Sequence, residues 1–123
     1  MNNSKTLLNI LKGIVISMTL TCIILIIYAF LLVYTNINET TIKPVIIIVS
    51  SISILIGSSI SSAKIKKNGM INGILIGITY FLIIYLISSI YNSCFYINIS
   101  SIIFILCGIS SGLLGGILGV NRK

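Results

Sequence analysis

Four apolar runs, each long enough to cross a bilayer, constrain this chain more than any other feature. They are Gly13–Thr35, Pro44–Ala63, Ile71–Tyr91 and Ser100–Val120, and none contains Asp, Glu, Lys, Arg or His. A membrane-spanning helix needs about 20 predominantly apolar residues. Only 7% of the 123 residues are charged and 57% are hydrophobic, whereas soluble domains carry about a quarter charged residues. A chain this short cannot hide so much apolar surface in one soluble core. The bilayer is therefore the solvent. The abundant β-branched residues favour strands in water, but in hydrocarbon each segment must satisfy its own backbone hydrogen bonds, so helix prevails. The expected architecture is an all-α, four-transmembrane-helix bundle forming one integral membrane domain over residues 1–123. Its short connections predict antiparallel, up-down neighbours. Gly13–Thr35 follows a basic start, like a signal peptide, but it exceeds a signal core in length and lacks a small-x-small cleavage site, so it reads as a retained span.

Charge placement predicts the orientation. The flanks carry, in order, Lys5 and Lys12; Lys43; Lys64, Lys66 and Lys67; no basic residue; and Arg122 and Lys123. Alternate flanks share a side, which places seven positive charges on one face and one on the other. Basic residues collect on the cytoplasmic side, so both termini and the Lys64–Lys67 turn are expected there, in a multi-pass protein of the cell membrane. Tyr34, Tyr91 and Tyr96 then fall at the opposite interface, where tyrosine anchors are favoured. The net charge of +7 does not point to nucleic acid, because every basic residue flanks an apolar run. The same lysines and Arg122 are candidates for contact with lipid headgroups.

Small residues carry the second pattern. Gly57 and Ser61 lie in the second run, Gly69, Gly73 and Gly77 open the third, and Gly108, Gly112 and Gly116, interleaved with Gly115 and Gly119, mark the fourth. Residues four apart share a helix face, and glycine there lets two backbones approach closely. These are the candidate helix-packing residues. All fall toward the predicted cytoplasmic side, so the bundle is expected to be tight there. The faces could pack within the chain, or offer a docking surface to a second copy or a membrane partner.

Chemistry is conspicuously missing. Ion-coupled transport and proton relay use ionisable groups inside the membrane, and the four runs have none among the acidic and basic residues. Serines without a histidine or a carboxylate assemble no acyl-transfer site, so no enzyme and no cofactor are expected. Cys22, Cys94 and Cys107 are irregularly spaced, with no histidine in the chain, and make neither a disulfide framework nor a metal site. The serine-rich face from Ser50 to Ser62, with Tyr80 and Tyr85, could line a path for a small neutral solute. More often such hydroxyls bond to carbonyls of their own helix. Glu39 and Lys43 read as a solvated pair.

Leu11-Lys12-Gly13, Tyr28-Ala29 and above all Gly112-Leu113-Leu114-Gly115-Gly116-Ile117-Leu118-Gly119-Val120-Asn121 resemble a family of uncharacterised, strongly hydrophobic four-span integral membrane proteins of Gram-positive bacteria such as clostridia. The resemblance covers essentially the whole chain and implies no activity and no site residues. The expected role is non-enzymatic: helix–helix association, as an accessory subunit or a homo-oligomer, with a passive channel or carrier for a small neutral solute as the alternative.

Overall fold

The computed structural model describes residues 3–92 and 99–121, apart from the side chains of Asn3, Glu39, Asn92 and Ser100. Cys94, Tyr96, Arg122 and Lys123, and the proposed Glu39–Lys43 pair, lie outside the described residues and side chains. Four helices follow one another: α1 (Asn3–Tyr34), α2 (Ile42–Ile65), α3 (Gly69–Asn92) and α4 (Ile99–Asn121), with a short 3-10 turn at Glu39–Thr41. All four are long and apolar enough to cross a membrane.

Helix boundaries overrun the apolar runs because helix continues into the flanking polar residues. At 1.5 Å per residue, the 24 residues of α2 span about 36 Å, against a hydrocarbon core of about 30 Å. The excess places their ends in the headgroup region. α1 is longer still. Its 32 residues reach about 48 Å, so the helix carries Lys5 and Lys12 as part of one continuous rod rather than in a separate polar lead. Pro44 sits in the first turn of α2, where its missing N–H removes no intrahelical bond.

The connection from α2 to α3 is only residues 66–68. Lys66 (φ 57°) and Asn68 (φ 50°) both adopt the left-handed conformation, and the Lys66 N–H closes α2 by donating to Ser62 O at 2.8 Å. This is the left-handed helix stop usually built with glycine. Asn68 O then accepts the Asn72 backbone N–H at 3.1 Å, and the Asn72 amide donates to Lys67 O at 2.9 Å. The basic turn is thus held by backbone geometry and one buried asparagine.

Side-chain contacts define how the helices run. Gly69, Gly73 and Gly77 face Gly116, Gly112 and Gly108 in turn, so α3 and α4 run in opposite directions. Gly57 faces Gly13, and Ser61 reaches Asn9, so α1 and α2 are also opposed. Gly115 meets Leu55 and Ser58 while Gly119 meets Ser59 and Ser62, so α2 and α4 run the same way. α2 touches all three other helices, and α1 packs on α2 and α3. α2 is the most buried of the four helices and α1 the least: α2 is the centre of the bundle and α1 its most lipid-facing member.

The core inverts the polarity of a soluble protein. Ser17, Ser53, Ser58 and Ser62 are fully buried, with Ile54, Ile76 and Tyr80 as the largest enclosed side chains. Ile23, Phe30, Leu82, Leu106 and Leu118 lie at the surface. In lipid this costs nothing, since hydrocarbon solvates leucine as well as a protein interior does. What separates core from surface is side-chain size.

Candidate functional site

The candidate site is built from the small residues upward. Along α3 and α4 three glycine pairs meet back to back. A Cβ built on Gly77 would lie 2.7 Å from Gly108 O, and one on Gly73 would lie 2.7 Å from Gly112 C and closer still to its oxygen. A Cβ on Gly116 would stand 2.8 Å from Gly69 C. Backbone cannot yield as a side chain can, so these positions admit only hydrogen. Such proximity brings Cα–H groups against facing carbonyls, a weak but repeated attraction.

Between α2 and α4 the fit pairs glycine with serine. A Cβ on Gly115 would strike Ser58 and stand 3.0 Å from Leu55 C, and one on Gly119 would stand 2.8 Å from Ser62 Cβ. The serine side chains therefore occupy the space that the glycines leave. Gly108 is the exception on this helix: its nearest neighbour is Ile54 Cδ1 at 3.6 Å, an ordinary van der Waals distance.

The α1–α2 contact sets Gly57 and Ser61 against α1 residues outside the small-residue sets of the sequence. Gly13 and Ser17 face Gly57, with Gly13 O 2.6 Å from the Cβ position of Gly57. The Ser61 hydroxyl donates to Asn9 O at 2.8 Å, crossing between helices. Gly13 is a lone glycine in α1, so no spacing marked it. The signal that could have found it is Gly13-x-x-x-Ser17, once serine is admitted as a small residue. The Ser17 hydroxyl bonds back to Gly13 O at 2.9 Å.

One polar network lies deeper. Thr21 Oγ1 donates its single proton to Ser17 O at 2.8 Å, so in its 2.7 Å bond with Tyr80 the fully buried tyrosine hydroxyl is the donor. Tyr80, which the alternative reading set beside a solute path, cross-links α1 and α3. Ser51, Ser58, Ser110 and Ser111 bond to carbonyls of their own helices. Ser53 and Ser62 are buried with no hydrogen-bond partner among the described residues. Phe81 stacks on Tyr85 at 6.0 Å and meets Phe104 at 5.7 Å, filling the region beyond the glycines.

All the tight contacts gather at the end of the bundle that holds residues 66–68. At the other end Val33, Tyr34, Ile90 and Tyr91 are about four-fifths exposed or more. Lys5, Lys12, Lys64, Lys66 and Lys67 are exposed and lie toward the tight end. Cys22 is exposed and Cys107 half-buried, both as free thiols. No group of three or more His, Cys, Asp or Glu suited to a metal occurs among the described residues.

The family described as "Protein of unknown function (DUF3792)" matches residues 6–119, a stretch that includes every glycine contact above. The chain belongs to this family. As the resemblance implied, DUF3792 is uncharacterised and hands down no activity or site residue. No curated protein and no solved structure matches the chain.

Proposed function

We propose that this protein is a non-enzymatic membrane subunit that acts by helix–helix association, with both termini and the 66–68 turn in the cytoplasm. The observation that carries the reading is the use made of the small residues. Every candidate glycine is buried against another helix of the same chain, and no acidic or basic residue lies within the four apolar runs. Ser17, Thr21, Ser61, Asn72 and Tyr80 of the interior are hydrogen-bonded within the chain, which supports a compact scaffold.

The glycine faces are therefore not docking surfaces in this reading. A second copy or a membrane partner meets the bundle through its lipid-facing sides, where α1 is the most accessible helix. The positive residues set the orientation, seven facing the cytoplasm. The solute-path alternative has less support, since Tyr80 is fully buried and bonded to Thr21.

Two measurements test the proposal. Extraction from the native membrane in mild detergent, followed by size analysis and identification of stoichiometric companions, should yield a homo-oligomer or a defined membrane complex. A monomer, accompanied by solute flux through liposomes containing this protein alone, would overturn it. For orientation, Lys67→Cys in a chain with its three cysteines replaced by alanine should react with a membrane-impermeant maleimide in inverted vesicles only. Labelling of intact cells would reverse the topology.

A further inference from the structure

A groove of about 300 Å³ runs along the outside of the α1–α2 pair, lined by Leu8, Leu11, Lys12, Val15, Ile16 and Lys64. We propose that it binds one anionic phospholipid, the phosphate held between Lys12 and Lys64 and one acyl chain lying along the α1 wall.

The geometry follows from the packing of these two helices. Leu8, Leu11, Lys12 and Val15 have the three- and four-residue spacings of a single helix face. The register of α1 against α2 is set by Gly13 facing Gly57 and by the Ser61–Asn9 bond. Extended by three residues, that register puts Lys64 level with Thr6. The two lysine backbones are thus about six residues, or roughly 9 Å, apart along the bundle axis. Helical side chains lean toward their own N-terminus. Because α1 and α2 are opposed, Lys12 leans toward the level of Lys64 and Lys64 leans toward the level of Lys12. Both lysine side chains line the one groove.

Charge and polarity select the occupant. Glu39, the single acidic residue of the chain, belongs to the 3-10 turn at the opposite end of both helices and does not neutralise this pair. An anion between the lysines relieves their repulsion. A free phosphate would leave the leucine, valine and isoleucine wall uncovered, and an uncharged lipid would leave the two cations uncompensated. A phosphate carrying an acyl chain satisfies both, and the groove opens outward to where the bilayer supplies it. The tight approach at Gly13 and Gly57 is what brings the two lysines to one site, so the packing residues have a second consequence.

The test uses the full chain reconstituted in phosphatidylcholine vesicles containing a minor fraction of phosphatidylglycerol, then extracted gently and weighed by native mass spectrometry. The expected result is one retained phosphatidylglycerol per chain. Lys12→Gln with Lys64→Gln should weaken retention on the order of thirtyfold, as two headgroup-level cations imply. Lys66→Gln with Lys67→Gln removes equal charge from the adjoining turn and should leave retention unchanged. Val15→Trp, which fills the groove but keeps both lysines, should also weaken retention, and thermal unfolding of each variant verifies that it is folded. Equal losses from both lysine pairs would reduce the effect to diffuse surface charge and overturn the site. Full competition by glycerol phosphate would overturn the acyl-chain part. Cross-linking of Lys12 to a second copy or a partner, with lipid expelled, would assign the groove to protein and overturn the proposal.

Discussion

Two alanine substitutions on facing helices should differ sharply in their effect on stability. Gly73→Ala places a Cβ 2.7 Å from Gly112 C and 3.1 Å from Gly116 Cα. Carbon atoms rest at about 3.5–4.0 Å, so the added methyl demands that α3 and α4 separate by about 1 Å. A gap of that size forfeits a quarter to a half of the dispersion well for each pair of atoms it opens. The Gly69–Gly116 and Gly77–Gly108 contacts lie on the same seam and open with it. Overpacking of this kind costs typically about 1–3 kcal/mol, and the rigid backbone on both sides puts Gly73→Ala near the upper end.

Gly108→Ala behaves otherwise. Its Cβ meets Ile54 Cδ1 at 3.6 Å, which is comfortable contact, and alanine is favoured over glycine within a helix by about 0.8–1.0 kcal/mol. This variant should match or exceed wild type by up to about 1 kcal/mol. The pair therefore separates by about 3 kcal/mol, on the order of a hundredfold in the unfolding equilibrium. Unfolding in mixed micelles with rising dodecyl sulfate, followed by far-ultraviolet circular dichroism, reads both midpoints. Gly73→Ala within about half a kcal/mol of wild type, or both variants shifting in one direction, would refute the α3–α4 seam.

Thr21→Val should cost more than Tyr80→Phe, by up to about 1–2 kcal/mol, because it strands a fully buried tyrosine hydroxyl whereas the reverse change leaves Thr21 still bonded to Ser17 O. The double variant should recover most of that loss in the same unfolding assay. Ser53→Ala removes a buried hydroxyl that has no partner among the described residues and should be neutral or stabilising by about 0.5–1 kcal/mol. Ser61→Ala, which cuts the bond to Asn9 O, should destabilise by about 0.5–1.5 kcal/mol. Hydrogen exchange of α1 amides near Asn9 checks the same contact locally.

The number and placement of the four helices, and their membership of a membrane bundle, were legible in the one-dimensional sequence. The reason is that crossing hydrocarbon is a local demand: each segment must be about 20 residues long, apolar and internally hydrogen-bonded, and Gly13–Thr35 or Ser100–Val120 meets it alone. The small residues at helical spacing are of the kind that close helix approach requires. Which helices meet which was decided only by tertiary structure. Gly73 faces Gly112, Gly57 faces the unmarked Gly13, and Gly108 keeps slack beside Ile54, although nothing in the spacing separates these cases. Tyr80 becomes a link to Thr21, and Lys12 joins Lys64 at one groove, across more than fifty residues of chain. In water, hydrophobicity would tell the buried face of a helix from the exposed one. In a bilayer both faces are apolar, so rotation and register follow from the steric fit of small side chains against backbone, and that fit exists only once the helices are together.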